Sequence, residues 1–112
     1  MYDITGNLKK GLTQLIVLKL LSETDEMYGF KIIHTLTERG SEQYHLTEGA
    51  LYPALHRLEN HGLVTSRTES SGARVLRRYY SITDEGRKQL EQDLNKYHVL
   101  TKDVAKILGT DS

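Results

Sequence analysis

Residues 46–59 read LTEGALYPALHRLE, and this stretch decides how the rest of the chain is interpreted. Thr47 is a typical helix N-cap, Glu48 suits the first turn, and leucines at 51, 55 and 58 recur at helical spacing. We expect a helix that starts at Thr47 and ends at Gly62, with Pro53 kinking or tightening its early turns. Its leucine side would face a core.

Two further helices are predicted on the N-terminal side of this stretch. The apolar pattern of residues 7–22 goes most of the way round a helix, which predicts a largely buried helix. After a polar break, a second helix is expected to start near Asp25 or Glu26 and to be closed by Gly40.

The pattern changes on the C-terminal side. Residues 63–68 and 77–82 predict two strands around turn residues 69–73, which is a β-hairpin. Thr83 is a candidate N-cap for a long helix that ends near Leu108, before Gly109. We therefore expect a mostly α fold with a small β-hairpin, namely a winged helix-turn-helix followed by a long C-terminal helix.

The composition excludes several classes of protein, among them disulfide-bonded and membrane-spanning ones. The 112 residues suffice for one core, and the absence of cysteine excludes disulfides and thiolate metal sites. No apolar run approaches the roughly 20 residues of a membrane span, and no signal peptide opens the chain, so we expect a cytoplasmic protein. Lys and Arg balance Asp and Glu at 15 each. Any polyanion partner must therefore be recognised by local charge.

Local basic charge is concentrated between residues 43 and 83, which contain five arginines, no lysine and three glutamates. Paired hydrogen bonds from guanidinium groups suit phosphate. A solvated loop would also explain these arginines. Four of them fall within a dozen residues: Arg67, Arg74, Arg77 and Arg78.

The helix of residues 47–61 carries polar groups opposite its leucines. At 100° per residue this face holds Gly49, Pro53, His56, Arg57 and Asn60, with Tyr52 on its flank. Such groups can donate to base edges or phosphates in a major groove, and a glycine near the helix start lets a DNA backbone come close. An ordinary amphipathic helix with a polar outside is the simpler alternative.

Several blocks of the sequence resemble the PadR family of bacterial winged-helix transcriptional regulators, which are mostly repressors. The resemblance covers about residues 8–90, although Val75 and Leu76 make the wing more apolar than is usual. It rests on LKKG at 8–11, YGFKI at 28–32, the 46–59 stretch, GLV at 62–64, RRYY at 77–80, IT at 82–83 and Gly86.

The resemblance implies a recognition helix at residues 47–61 and a wing at about residues 67–78. Residues 1–83 would form the winged helix-turn-helix DNA-binding domain, and residues 84–112 the dimerisation helix. The expected partner is double-stranded DNA. The expected DNA-binding residues are Thr47, Glu48, Gly49, Tyr52, His56, Arg57, Asn60, Arg67, Arg74, Arg77 and Arg78.

The C-terminal helix carries a near-heptad apolar stripe that needs a partner. It could pack back on the chain's own first helix, but we expect a homodimer on an inverted-repeat operator. Family members of this size also suggest a small aromatic effector at the dimer interface, with Tyr97 as its aromatic contact. The expected interface residues are Leu8, Leu12, Leu90, Leu94, Tyr97, Thr101, Val104 and Leu108.

Two other classes of function fit parts of the sequence. A winged helix can bind protein instead of DNA, although an arginine-bearing wing argues against this. Five histidines suggest a metal or catalytic site, but none forms an i, i+4 pair with another histidine. We therefore expect neither an enzyme nor a metal or other cofactor.

Overall fold

The structure, a computed structural model, describes residues 3–40, 44–70, 72 and 76–111. It confirms the predicted class, which is mostly helical with a small hairpin. The elements in chain order are α1 (Ile4–Ser22), β1 (Met27–Tyr28), α2 (Gly29–Arg39), α3 (Glu48–Asn60), β2 (Val64–Ser70), β3 (Leu76–Ile82) and α4 (Asp84–Leu108).

Threonine side chains set the starts of α3 and α4, as predicted. The Thr47 hydroxyl oxygen accepts a hydrogen bond from the Ala50 amide at 3.2 Å, and that of Thr83 accepts one from the Gly86 amide at 3.0 Å. Each bond helps to satisfy a first-turn amide, and the Ala50 amide also donates to the Thr47 carbonyl oxygen at 3.1 Å. The helix α3 runs on through Pro53, and the left-handed φ of 74° at Gly62 turns the chain into β2.

Two helix starts differ from the prediction. The helix α1 begins at Ile4 because the Asp3 carboxylate accepts from the Thr5 amide. The helix α2 begins at Gly29 instead of near residues 25–26, because Met27 and Tyr28 pair with β3 as a third strand.

The three strands form an antiparallel sheet in the order β1-β3-β2. Val64 pairs with Ile82, and the hairpin register continues to Ser70 opposite Leu76. The strand β1 covers the other edge of β3, with Met27 opposite Tyr80. The wing is therefore joined to the start of α2 by backbone hydrogen bonds.

The core lies where α1, α2 and α3 meet the sheet. Burying one such leucine or valine side chain stabilises the fold by about 1.5–3 kcal/mol. Those that are essentially inaccessible to solvent are Val17, Leu18, Leu20, Leu21, Ile32, Leu51, Leu55, Leu58 and Val64.

The helix α4 has two parts with different surroundings. Gly86 and Leu90 are buried, with Leu90 only 7% exposed, and Leu94 packs partly against the same core. Beyond Leu94 the helix is largely exposed. Leu90 is therefore a core residue of its own chain, which corrects its expected place in the dimer interface. The predicted domain boundary after residue 83 separates these packed turns from the core that they belong to.

None of the helices in the described part of the chain has the length and apolar character of a membrane span.

Candidate nucleic-acid interface

The outward face of α3 carries the side chains that the sequence placed there. Leu51, Ala54, Leu55 and Leu58 are buried on one side of the helix. The side chains exposed on the opposite side are Tyr52, Pro53, His56, Arg57 and Asn60.

The N-terminal end of α3 is open to solvent. Thr47, Glu48 and Gly49 are all exposed. A Cβ atom placed on Gly49 would meet nothing closer than the Thr47 hydroxyl oxygen, at 3.8 Å. The packing of the chain therefore does not require a glycine at position 49. The space beside Gly49 is open to solvent, where a binding partner could approach the backbone.

A groove separates α3 from the wing. It has a volume of about 660 Å³ and brings Arg78 of β3 together with Tyr52, His56 and Asn60 of α3. Tyr80 forms part of its wall, and burial raises the pKa of the Tyr80 hydroxyl. The structure therefore gathers four of the predicted site residues around one open space.

Arg78 is held at the C-terminal end of α3. Its Nε donates to the Ser66 hydroxyl oxygen at 3.0 Å, and the Ser66 hydroxyl donates to Glu59 Oε2 at 2.6 Å. The Arg78 guanidinium also lies 4.0 Å from Glu59 Oε1. Sequence reasoning missed Glu59 and Ser66, because only the hairpin register brings Ser66 beside Arg78.

Arg67 is paired with carboxylates of its own chain, and its predicted contact with DNA stays a prediction. Its guanidinium donates to both carboxylate oxygens of Glu26 and, at 2.7 Å, to Glu69. It also lies 4.7 Å from the centroid of the Tyr79 ring. Hydrogen bonds from Arg67 lower the pKa of Glu26, and those to Glu26 and Glu69 raise the pKa of Arg67. Two carboxylates offset its charge, so Arg67 ties the wing to the body instead of offering a free cation.

Arg77 lies over the Tyr28 ring, 4.7 Å from its centroid. Both residues line a second groove of about 460 Å³, in which the apolar side chains of Phe30 and Leu76 are exposed. Tyr52 also lines this groove.

The Tyr52 ring packs against the first residue of α2. A Cβ atom on Gly29 would come within 2.9 Å of the ring. Tyr52 is therefore positioned by α2 as well as by its own helix. Arg74 and Val75, the remaining residues predicted for the wing, lie outside the described residues.

A separate apolar surface runs along α1 and the far part of α4. Leu8 is 58% exposed, Leu12 is half-buried and Ile107 is 83% exposed. Tyr97, Thr101, Val104 and Leu108 are exposed, as is Leu100 beside them. A groove of about 440 Å³ between α1 and α4 is lined by Leu12, Leu15, Tyr97 and Leu100, together with Lys10 and Lys96.

Histidine and carboxylate side chains do not cluster in the described ranges. No group of three or more His, Cys, Asp or Glu residues there could hold a metal ion.

Residues 17–92 match the family model described as the transcriptional regulator PadR-like family. Transcriptional regulator Rv3488 of Mycobacterium tuberculosis is 35% identical over 80 residues, which are 71% of this chain and 71% of that protein. A solved transcriptional regulator from Clostridium thermocellum, Cth-833, superposes with a TM-score of 0.81 at 31% identity, over 89% of this chain and 93% of its own.

The negative transcriptional regulator PadR of Bacillus subtilis is 25% identical over 103 residues, 92% of this chain. The chain spans about half of that protein's length, 49%. A structure of Bacillus subtilis PadR in complex with operator DNA superposes with a TM-score of 0.67 at 27% identity, over 72% of this chain and 45% of that one.

Proposed function

The chain belongs to the transcriptional regulator PadR-like family, and from that premise we propose that it is a homodimeric repressor of an inverted-repeat operator. The relatives are named as transcriptional regulators and not as enzymes. Repression is supported by the word negative in the name of the Bacillus subtilis relative, and the DNA partner by that protein's complex with operator DNA.

One observation carries the DNA-binding proposal, namely the groove between α3 and the wing. A helix is about 10–12 Å across and fits a major groove about 12 Å wide. With α3 seated there, the exposed groups of His56 and Asn60 face base edges, while Arg77 and Arg78 lie beside the backbone. Thr47, Glu48, Gly49, Tyr52 and Arg57 complete the proposed contact surface of α3.

We expect Arg77→Ala and His56→Ala to weaken DNA binding in different ways. Loss of one phosphate contact per copy, and so of two per bound dimer, weakens all sequences alike and makes the slope of log K against log salt shallower by about 1.8. Loss of a base contact changes the ranking of operator sequences. The measurement is DNA selected from a random pool, followed by salt titrations of the best and second-best sequences. Identical behaviour of the two variants would contradict this division of roles.

The apolar surface on α1 and the far part of α4 supports the homodimer. Exposed apolar side chains at three- and four-residue steps are typical of a helix that packs on another helix. A two-fold pair would place two copies of α3 roughly 34 Å apart, or a multiple of this, along one face of the duplex. Residues 1–83 would then bind DNA, while the part of α4 beyond the core would join the two copies.

The groove between α1 and α4 supports a small aromatic effector that relieves repression. Its apolar wall includes Tyr97, and its rim carries Lys10 and Lys96. Because this groove adjoins the proposed dimer surface, a ligand bound there would alter how the two copies meet.

We expect a small set of aromatic compounds to raise the melting temperature of the protein and to weaken operator binding. Tyr97→Phe keeps the ring and should keep both responses, whereas Tyr97→Leu removes the ring and should lose them. Thermal shift and mobility-shift assays on the same samples provide the measurements. An equal response of both variants would place the effector elsewhere.

A further inference from the structure

The exposed ridge of α3 has a second flank, on the side away from the wing. Residues 49, 53 and 57 lie along this flank at four-residue steps, whereas residues 52, 56 and 60 lie along the wing flank. Pro53 lines the grooves on both flanks and therefore marks the crest of the ridge.

The groove on the second flank has a volume of about 450 Å³ and lies between α3, the loop before it and α1. Its cationic groups are Lys9 and Lys10 of α1 and Arg57 of α3, and His45 lies beside them. Thr47, Gly49 and Ala50 also line it. The groove thus includes the first turn of α3, whose free amides favour anions.

Contacts between α1 and the loop fix this arrangement. The Tyr44 hydroxyl donates to the Lys9 carbonyl oxygen at 3.2 Å, and the Thr13 hydroxyl donates to the same oxygen at 2.8 Å. The Lys9 ammonium lies 5.9 Å from the centroid of the Tyr44 ring. Since Tyr44 also packs against the core, the backbone of α1 at Lys9 is tied to the loop that leads into α3.

The cationic side chains on the two flanks of α3 differ in whether they form ion pairs. On the wing, Arg67 is matched by Glu26 and Glu69, and Arg78 lies near Glu59. On the second flank, no ion pair to Lys9, Lys10 or Arg57 occurs within the part of the chain that the structure describes. Glu48 is exposed in the first turn of α3 but does not line this groove. Among the described residues, three cations without an ion pair therefore lie on the side of α3 opposite the wing, and Arg77 is such a cation on the wing.

We propose that Lys9, Lys10 and Arg57 form a phosphate clamp that binds the DNA strand on the side of the major groove away from the wing. This inference rests on the proposed function, because a helix in the major groove has a sugar–phosphate backbone on both sides. The wing contacts one backbone through Arg77, and the α1 clamp contacts the other. Such contacts position the protein and contribute affinity without reading sequence.

The test compares Lys10→Ala/Arg57→Ala with Lys102→Ala/Lys106→Ala. The control pair removes the same charge from the face of α4 opposite its apolar stripe, far from α3. Loss of two phosphate contacts per copy, and so of four per bound dimer, should make the slope of log K against log salt shallower by about 3.6 for the clamp variant. The control should keep the wild-type slope. Both variants should keep the wild-type ranking of operator sequences, measured on the sequences selected from the random pool.

A charge-conserving variant separates the clamp from an effect on folding. Lys10→Arg/Arg57→Lys should restore the wild-type slope, and circular dichroism should give the same melting temperature for all variants. If the clamp variant has the same slope as the control, or changes the operator ranking, the clamp is overturned and the proposed function stands. If the wild-type protein does not bind duplex DNA at low salt, the proposed function is overturned together with the clamp.

Discussion

Replacing Val104 and Leu108 by glutamate should produce a monomer that binds a full operator about 10²- to 10⁴-fold more weakly than the wild-type protein. Both side chains are exposed on the far part of α4, where a second copy is proposed to pack. Four carboxylates brought together in an apolar helix–helix interface would be costly to bury. Separated copies then lose the gain in affinity that comes from binding two half-sites at once.

Two measurements check this prediction. Sedimentation at micromolar concentration gives the mass, and mobility shifts on one and two half-sites give the affinities. The monomer should bind a single half-site as well as one copy of the wild-type protein does. The matched control is Asn95→Glu/Val99→Glu, which adds the same two carboxylates at exposed positions on the opposite face of the same helix. A Val104→Glu/Leu108→Glu protein that remains dimeric would place the interface elsewhere.

Gly86→Ala should destabilise the fold by about 1–3 kcal/mol. A Cβ atom at this buried position would overlap the Leu63 carbonyl oxygen and lie 2.7 Å from Ile82 Cγ1. Alanine is a better helix former than glycine by about 1 kcal/mol. The overlap outweighs this gain, since the carbonyl belongs to the backbone that also accepts from the Thr83 amide.

The loss of stability is measured by thermal and urea unfolding of Gly86→Ala and of a control variant in α3. A loss of 1 kcal/mol lowers the melting temperature of a domain of this size by about 4–8 °C. Gly49→Ala is the control, because a Cβ atom there meets only ordinary contact distances. It should be at least as stable as the wild-type protein, because alanine is the better helix former and meets no clash there. Unchanged stability of Gly86→Ala would mean that the junction of α4 with Leu63 is looser than the structure indicates.

Features that depend on neighbouring residues could be predicted from the sequence. The caps at Thr47 and Thr83 and the positive φ of Gly109 satisfy backbone groups within a few residues, and all occur where the pattern placed them. The outward face of α3 follows from the spacing of its leucines alone. The residues assigned to DNA binding remain predictions, and so does the dimer interface.

Features that depend on distant residues could not be predicted. The strand at Met27 exists only because β3 passes beside it, and Glu26 meets Arg67 across 41 positions of the chain. The leucine spacing of α4 is similar along its length, so the pattern could not separate Leu90, which is in the core, from Leu108, which is exposed.

The continuity of α4 has a mechanical consequence. Its first turns are fixed in the core, its last turns are exposed, and no break interrupts its 25 residues. The residues of α4 beyond Leu94 form a lever arm of about 21 Å. Tilting this arm by about 10° would move its end by about 4 Å, which is roughly a third of the width of a major groove. A small change in the angle between the α4 helices of two paired copies would therefore change the spacing of their α3 helices. The two α3 helices would then no longer match successive major grooves of the duplex.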